Sequence, residues 1–177
     1  NYFGQAMTAG TPYAIAGNGT AGTSLGLAIG ATMASPRYLA VDREGNVYIA
    51  WTGSQVRMLP ARDGTYFGQA MTVGNLYALN ISASSDADAQ TQAAGLLAVD
   101  SQGNLYVNDH VTTLKRLSRN NQLTHFAGGG TGGLGTLART ANLAIGTNMS
   151  SPSGLEFGPD DTLYVIQPTR DRILKIY

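Results

Sequence analysis

Residues 38–50 read YLAVDREGNVYIA, and residues 96–108 read LLAVDSQGNLYVN. In the first, an apolar run (Leu39, Ala40, Val41) meets Asp42-Arg43-Glu44-Gly45-Asn46 and resumes as Val47-Tyr48-Ile49. Gly45 supplies the positive φ that a tight turn requires, and Asp42 can hydrogen-bond its own backbone to start the turn. The second stretch repeats the pattern with Asp100, Gly103 and Asn104. Each stretch therefore predicts a β-hairpin. A third copy, GLEFGPDDTLYVI at 154–166, puts Gly158-Pro159-Asp160-Asp161 where the others have the Asp and the Gly. Pro159 can serve the same bend, with a different turn type expected.

The three units start at 38, 96 and 154, two steps of 58 residues. Other families repeat alongside them: LAIGATMASP at 27–36 with LAIGTNMSSP at 143–152, and YAIAG at 13–17 with YALNI at 77–81 and THFAG at 124–128. A short alternating strand follows each hairpin: Val56 to Leu59, Leu114 to Leu117, and Ile173 to Ile176. Four short strands per repeat, with no helical period between them, predict one propeller blade per repeat. In the first blade the strands fall at about 37–42, 46–51, 55–60 and 76–81.

The pattern of apolar run, Asp-x-x-Gly-Asn and apolar-Tyr-apolar resembles the NHL repeat, and the resemblance covers essentially the whole chain. It implies an all-β fold: an NHL-type β-propeller of four-stranded antiparallel blades. Residues 1–177 then form a single half-propeller domain, with repeats at about 18–81, 82–127 and 128–177 plus 1–17. The resemblance does not imply one activity, because such blades serve binding proteins, sensors and a few lyases.

The opening NYFGQAMTAG returns at 65–74 as TYFGQAMTVG. Tyr13 to Gly17 thus reads as an outer strand without three inner ones before it, and Ile173 to Tyr177 as a third strand without a fourth. The N-terminal strand is expected to close the blade begun by the C-terminal residues, the device that seals propeller rings. Three blades cannot close a ring, and NHL-like propellers usually have six. The expectation is half a ring, completed by a second copy or by another propeller half in a polypeptide about twice as long.

Composition narrows the function. Eleven basic and eleven acidic residues cancel, no basic cluster stands out, and the 177 residues contain no cysteine. Neither nucleic acid nor an anionic membrane has an electrostatic footprint. No apolar run reaches the roughly 20 residues that span a bilayer. The 23 glycines suit many tight turns. GGGTGGLG at 128–135 contains a G-x-G-x-x-G match, rejected as a dinucleotide site because no helical pattern follows it.

The long loops at about 18–35, 82–94 and 129–151 should share one face with the loops between the second and third strands of each blade. Leu27, Ile29 and Met33, with Leu143, Ile145 and Met149, are expected to pack beneath the loops. The ligand- or partner-binding candidates are Trp51, Asp109, His110, Gln167 and Arg170, at equivalent rim positions in successive blades. The Arg172 guanidinium is expected to bridge blades. Asp86 and Asp88 lack the spacing of a calcium loop. No catalytic residue, metal ligand or cofactor is assigned. His110 and His125 are the only histidines, whereas the lyases of the resembled family use several around the channel. Two functions remain in view: a non-catalytic binding or structural scaffold, bacterial and extracellular or on the cell surface, and a channel-mouth lyase or hydrolase completed by a second chain.

Overall fold

The repeated units fold as antiparallel hairpins in a computed structural model that describes residues 2–51, 55–81, 94–109, 113–143 and 154–177. Strands are numbered in chain order. The hairpins are β2 (Pro36–Val41) with β3 (Val47–Trp51), β8 (Ala94–Val99) with β9 (Leu105–Asp109), and β12 (Leu155–Phe157) with β13 (Leu163–Gln167). Each is followed by a third strand: β4 (Val56–Leu59), β10 (Thr113–Leu117) and β14 (Arg172–Ile176). A fourth strand covers the first two sheets, β7 (Asn75–Leu79) on β4 and β11 (Leu123–Gly128) on β10. The short β1 (Gly26–Leu27) adds to β7. The third sheet stops at β14 among the described residues. All these ladders are antiparallel, and no α-helix occurs among the described residues.

The register repeats with the sequence. Val47 pairs with Leu59, Leu105 with Leu117, and Leu163 with Ile176. Alternate residues therefore face alternate sides, and both sides of the middle sheet are buried. One seam joins Tyr48, Met58 and Leu79 of the first sheet to Leu97, Leu105, Val107 and Leu117 of the second. The next joins Tyr106, Leu114 and Ala127 of the second to Leu155, Leu163, Val165 and Ile176 of the third. The first strands β2, β8 and β12 lie against one another in succession. The result is a propeller-like all-β stack of sheets.

The Asp of each hairpin sets its turn. Asp42 Oδ1 accepts from the Glu44 and Asn46 amides at 3.0 and 2.9 Å, and Oδ2 accepts from Asn46 Nδ2 at 2.8 Å and the Tyr48 hydroxyl at 3.0 Å. Asp100 repeats all four bonds with Gln102, Asn104 and Tyr106. The third turn corrects an expectation: its backbone pattern is the same. Gly158 N bonds Thr162 O as Asp42 N bonds Asn46 O, and Asp161 N bonds Gly158 O as Gly45 N bonds Asp42 O. Asp161 holds the positive φ of +57° in place of glycine, and Asp160 Oδ1 accepts from the Thr162 amide. Aspartate tolerates that conformation better than most residues.

Gly45 and Gly103 sit at φ +87° and +78°. Gly45→Val and Gly103→Val should each destabilise by roughly 1–3 kcal/mol, since a β-branched residue at positive φ is strained. Gly103→Val should be the worse, because a Cβ there would lie 2.5 Å from Arg119 Nε. That guanidinium forms a bidentate pair with Glu44 across the first seam, at 3.0 and 3.1 Å. Thermal melts of the two variants check both size and order; two neutral changes would contradict the turn account.

A small hairpin, β5 (Gly64–Tyr66) with β6 (Gln69–Met71), precedes β7 and was not legible in the sequence. It turns through Phe67 and Gly68, both at positive φ, as a type I′ turn requires. The usual signal is Asn-Gly or Asp-Gly, and Phe-Gly does not announce it.

Candidate functional site

Of the five candidate rim residues, two can be described with their side chains. His110 lies outside the described residues. Trp51 and Asp109 end β3 and β9, and Asp109 pairs with Thr113. Arg170 is exposed in a short 3-10 turn after β13. Gln167 is fully buried. Its Nε2 donates to the carbonyls of Asn142 and Leu143, and its Oε1 accepts from Arg172 Nε at 2.6 Å. Gln167 thus ties the long loop to the end of β13. Arg172 makes that bond inside its own sheet rather than between blades. Asp86, Asp88, Ile145 and Met149 lie outside the described residues.

The same face holds a polar cavity of about 640 Å³ beside Thr113, Lys115, His125, Arg139 and Gly128–Gly132. His125 Nε2 is 3.0 Å from the Gly128 carbonyl, so one ring nitrogen is occupied in holding the loop. Groups of three or more His, Asp or Glu that could hold a metal are absent among the described residues.

The hairpin carboxylates are held by the turn donors and the tyrosine hydroxyls. Burial, then the charge of Asp42, pushes the Tyr48 hydroxyl well above its ordinary range. Burial and then Asp100 push Tyr106 up to about 12. A folded-state pKa raised above the unfolded value of 10 means that the stability is present below pH 10 and is lost as pH rises through 12. Unfolding free energy should therefore fall between pH 10 and 12, and Tyr106→Phe should flatten that fall. A denaturation series across this window, with the variant alongside, is the check. An identical pH slope in the variant would contradict it.

The repeats also act as internal controls for exposure. Leu39 is 63% exposed, while its equivalents Leu97 and Leu155 are each 5%. Ile173 is 67% exposed, while Val56 and Leu114 are 0%. Tyr164 and Ile166 are half-exposed, while Tyr48, Ala50, Tyr106 and Asn108 are buried. Leu27 is exposed, while Leu143, 116 residues on, is buried. Ile29 is also exposed and Met33 only half-buried, so the expected plug under the first loop is formed by Ala28 and Ala31 instead. The exposed members of each set lie on the two outer faces of the stack. Groups that the middle sheet covers are left open at both ends.

Two shallow apolar grooves mark these ends. One, about 350 Å³, runs along the outer edge of β14 between Leu174, Ile176 and Tyr177 and the loop bearing Leu134 and Leu137. The other, about 300 Å³, lies on the first sheet beside Ile15, Met33, Tyr38, Leu39 and Ile49.

Residues 2–17 form no strand pairing along β14 within the chain. They lean instead on the outer part of the first sheet, where Phe3, Ile15 and Ala16 pack against Val47, Ile49, Leu59 and Leu76. Gly17 N bonds Ala28 O at 2.8 Å. Locally they copy 64–79. Tyr2 bridges Gln5 around Phe3 and Gly4 at positive φ, as Tyr66 pairs with Gln69 around Phe67 and Gly68. The Thr8 amide donates to the Tyr13 hydroxyl at 3.1 Å, as the Thr72 amide donates to Tyr77 at 2.8 Å.

No protein-family model matches the chain, and no curated protein sequence does. Two solved structures of virginiamycin B lyase from Staphylococcus aureus are similar. A catalytically inactive variant with quinupristin is 13% identical at TM-score 0.43, with 80% of this chain and 41% of that one covered. The selenomethionine-substituted protein is 11% identical at TM-score 0.31, with 80% and 69% covered. The chain spans 41% of the length of the first. At these values the likeness carries no weight for activity.

Proposed function

We propose that this chain is a non-catalytic, NHL-type propeller segment that works as a binding or structural scaffold through assembly, three blades of it meeting a second copy to close a six-bladed ring. The observation that carries this reading is the burial contrast at equivalent positions. Leu39 and Ile173 keep the aliphatic character of their buried repeats but stand largely exposed. Exposed apolar surface of this kind marks an interface or an aggregation hazard, and an unpaired sheet edge beside it compounds the hazard. A ring with a twofold axis covers both ends at once, last sheet against first, twice.

The carboxylates of Asp42 and Asp100 are each fully engaged by four donors, which favours scaffold over acid–base chemistry at those positions. Partner or ligand contact belongs on the long-loop face, around Trp51, Asp109, His110 and Arg170.

Sedimentation across a dilution series tests the assembly. The expected species has twice the 18.5 kDa chain mass, with folding lost as it dissociates, because assembly and stability are linked. A well-folded monomer, stable on dilution, would contradict the reading. Footprinting tests the face: protection of the Asp42–Asn46 and Asp100–Asn104 turns by a bound partner would place it on the opposite side.

A further inference from the structure

Resting on that assembly reading, and deepening it, we infer that the open edge of β14 takes residues 11–17 of a second copy as its fourth strand, with Tyr13 opposite Lys175, Ala14 opposite Leu174 and Ile15 opposite Ile173. Four observations fix the occupant and the register.

The first is the sequence. Residues 2–8 are YFGQAMT, and so are residues 66–72, the segment that leads into the strand covering β4. The second is the local fold already described, with the same type I′ hairpin and the same Thr amide to Tyr hydroxyl bond. The third is placement. In the first seam, Phe67, Leu79 and Ile81 rest on Leu105, Val107 and Leu117 of the next sheet. Phe3 and Ile15 pack on a cluster that contains Val47, Ile49 and Leu59, the equivalent three residues of the first sheet, together with Ala28, Ala31 and Leu76. On the first sheet the N-terminal segment therefore occupies the position that an outer strand of a preceding blade would take. The inner part of the same face, at Leu39 and Val41, is the part left exposed.

The fourth is register. β7 pairs Tyr77 with Met58, Ala78 with Arg57 and Leu79 with Val56. In the repeat alignment Tyr77, Ala78 and Leu79 correspond to Tyr13, Ala14 and Ile15. Through their pairing with the second strand of each sheet, Met58, Arg57 and Val56 correspond to Lys175, Leu174 and Ile173. Replacing both sides gives the proposed pairs. It also sets Phe3 edge-on to Tyr164 of the other copy, as Phe67 lies T-shaped to Tyr48 at 6.2 Å. Tyr164, Ile166 and Ile173 would then cover Leu39 and Val41. The segment is already ordered on its own sheet, so docking needs little further loss of conformational freedom.

The chain has no cysteine, which makes cross-linking clean. Two full-length variants, Ala14→Cys and Leu174→Cys, are mixed, allowed to exchange and oxidised. A second mixture uses Ile15→Cys with Ile173→Cys, so that the two opposed positions are both sampled. A control pairs Ala9→Cys with Leu174→Cys. Since each variant carries one thiol, every link joins two copies. The expected result is a disulfide-linked peptide joining 14 to 174 or 15 to 173, in a species of twice the chain mass, with the control at background. A dimer that links at neither pair, or links as well in the control, overturns the strand assignment while leaving assembly standing. A monomer in all mixtures overturns both.

Discussion

Deleting residues 1–17 should make the chain aggregate rather than yield a clean monomer. The segment covers apolar surface on its own sheet: without Phe3, Ile15 and Ala16, the cluster of Val47, Ile49, Leu59 and Leu76 loses part of its cover and keeps only that from Ala28, Ala31, Met33 and Ala34. Uncovering such side chains costs roughly 1.5–3 kcal/mol for each that becomes fully exposed. That is a large part of the 5–15 kcal/mol typical of a domain. In the proposed assembly it would also strip the fourth strand from β14 of the second copy, leaving an apolar edge open to non-specific pairing. Tyr13→Pro separates the two effects. In the proposed register Tyr13 and Ile15 turn their N–H groups to β14 while that of Ala14 points away, as the phase set by Gly158 N to Thr162 O requires. Within its own chain Tyr13 gives no backbone N–H to a ladder, and its hydroxyl only accepts an exposed bond from the Thr8 amide. Proline cannot donate to a new ladder, so this variant should dissociate while staying folded. Light scattering and circular dichroism read both. A truncated chain that remains soluble, with the mass and melting of the parent, would contradict the account.

Asp100→Ala should be among the most damaging single truncations in the hairpins, with Asp42→Ala at least its equal, at roughly 3–5 kcal/mol. The carboxylate accepts from the Gln102 and Asn104 amides, Asn104 Nδ2 and the Tyr106 hydroxyl. Removing it orphans these donors at a largely buried site, and each unsatisfied buried donor costs roughly 1–3 kcal/mol. The amides can recover part of the loss by reaching water, which is why the figure lies well below the sum. Tyr106→Phe, which removes one donor and leaves no orphan on the carboxylate, should cost only about 1 kcal/mol. The damage should extend beyond the turn: Asn104 Oδ1 accepts from the Arg119 amide, and Arg119 holds Glu44 of the first sheet. That pairing lowers the Glu44 pKa. Chemical denaturation of the two variants gives the comparison, and equal, small effects would contradict it.

Much of the fold was legible because the chain states it repeatedly. Asp42, Gly45 and Asn46 predict the hairpin, and the copy at Asp100, Gly103 and Asn104 confirms the period; the observed β2–β3 and β8–β9 pairs follow from them. Where the chemistry of the turn changed, the reading failed. Gly158 and Asp161 keep the backbone bonds of Asp42 and Gly45 although neither residue type is kept, because turn geometry is set by φ and ψ and several residues can supply it. The hairpin at Phe67-Gly68 was missed for the same reason.

The candidate site was less legible. Equivalent sequence position placed Gln167 on the rim, but position does not report depth, and its amide is buried on the loop carbonyls of Asn142 and Leu143. Leu27 and Leu143 have the same sequence context and opposite exposure. No pattern in the chain could separate them, since the difference lies in what stands on the next sheet.

Hydrogen exchange along β14 tests the central claim most directly. Within one chain, β14 bonds only to β13 among the described residues, so the amides of Arg172–Ile176 that face away from β13 have no ladder partner on that side. In β4 and β10 the outward amides face a fourth strand. The account predicts that, in the intact protein, the outward amides of β14, Ile173 and Lys175, are protected as strongly as those of β4, and that Tyr13→Pro removes their protection while leaving that of β4 unchanged. Rapid exchange of the outward β14 amides in the intact, folded protein would contradict it.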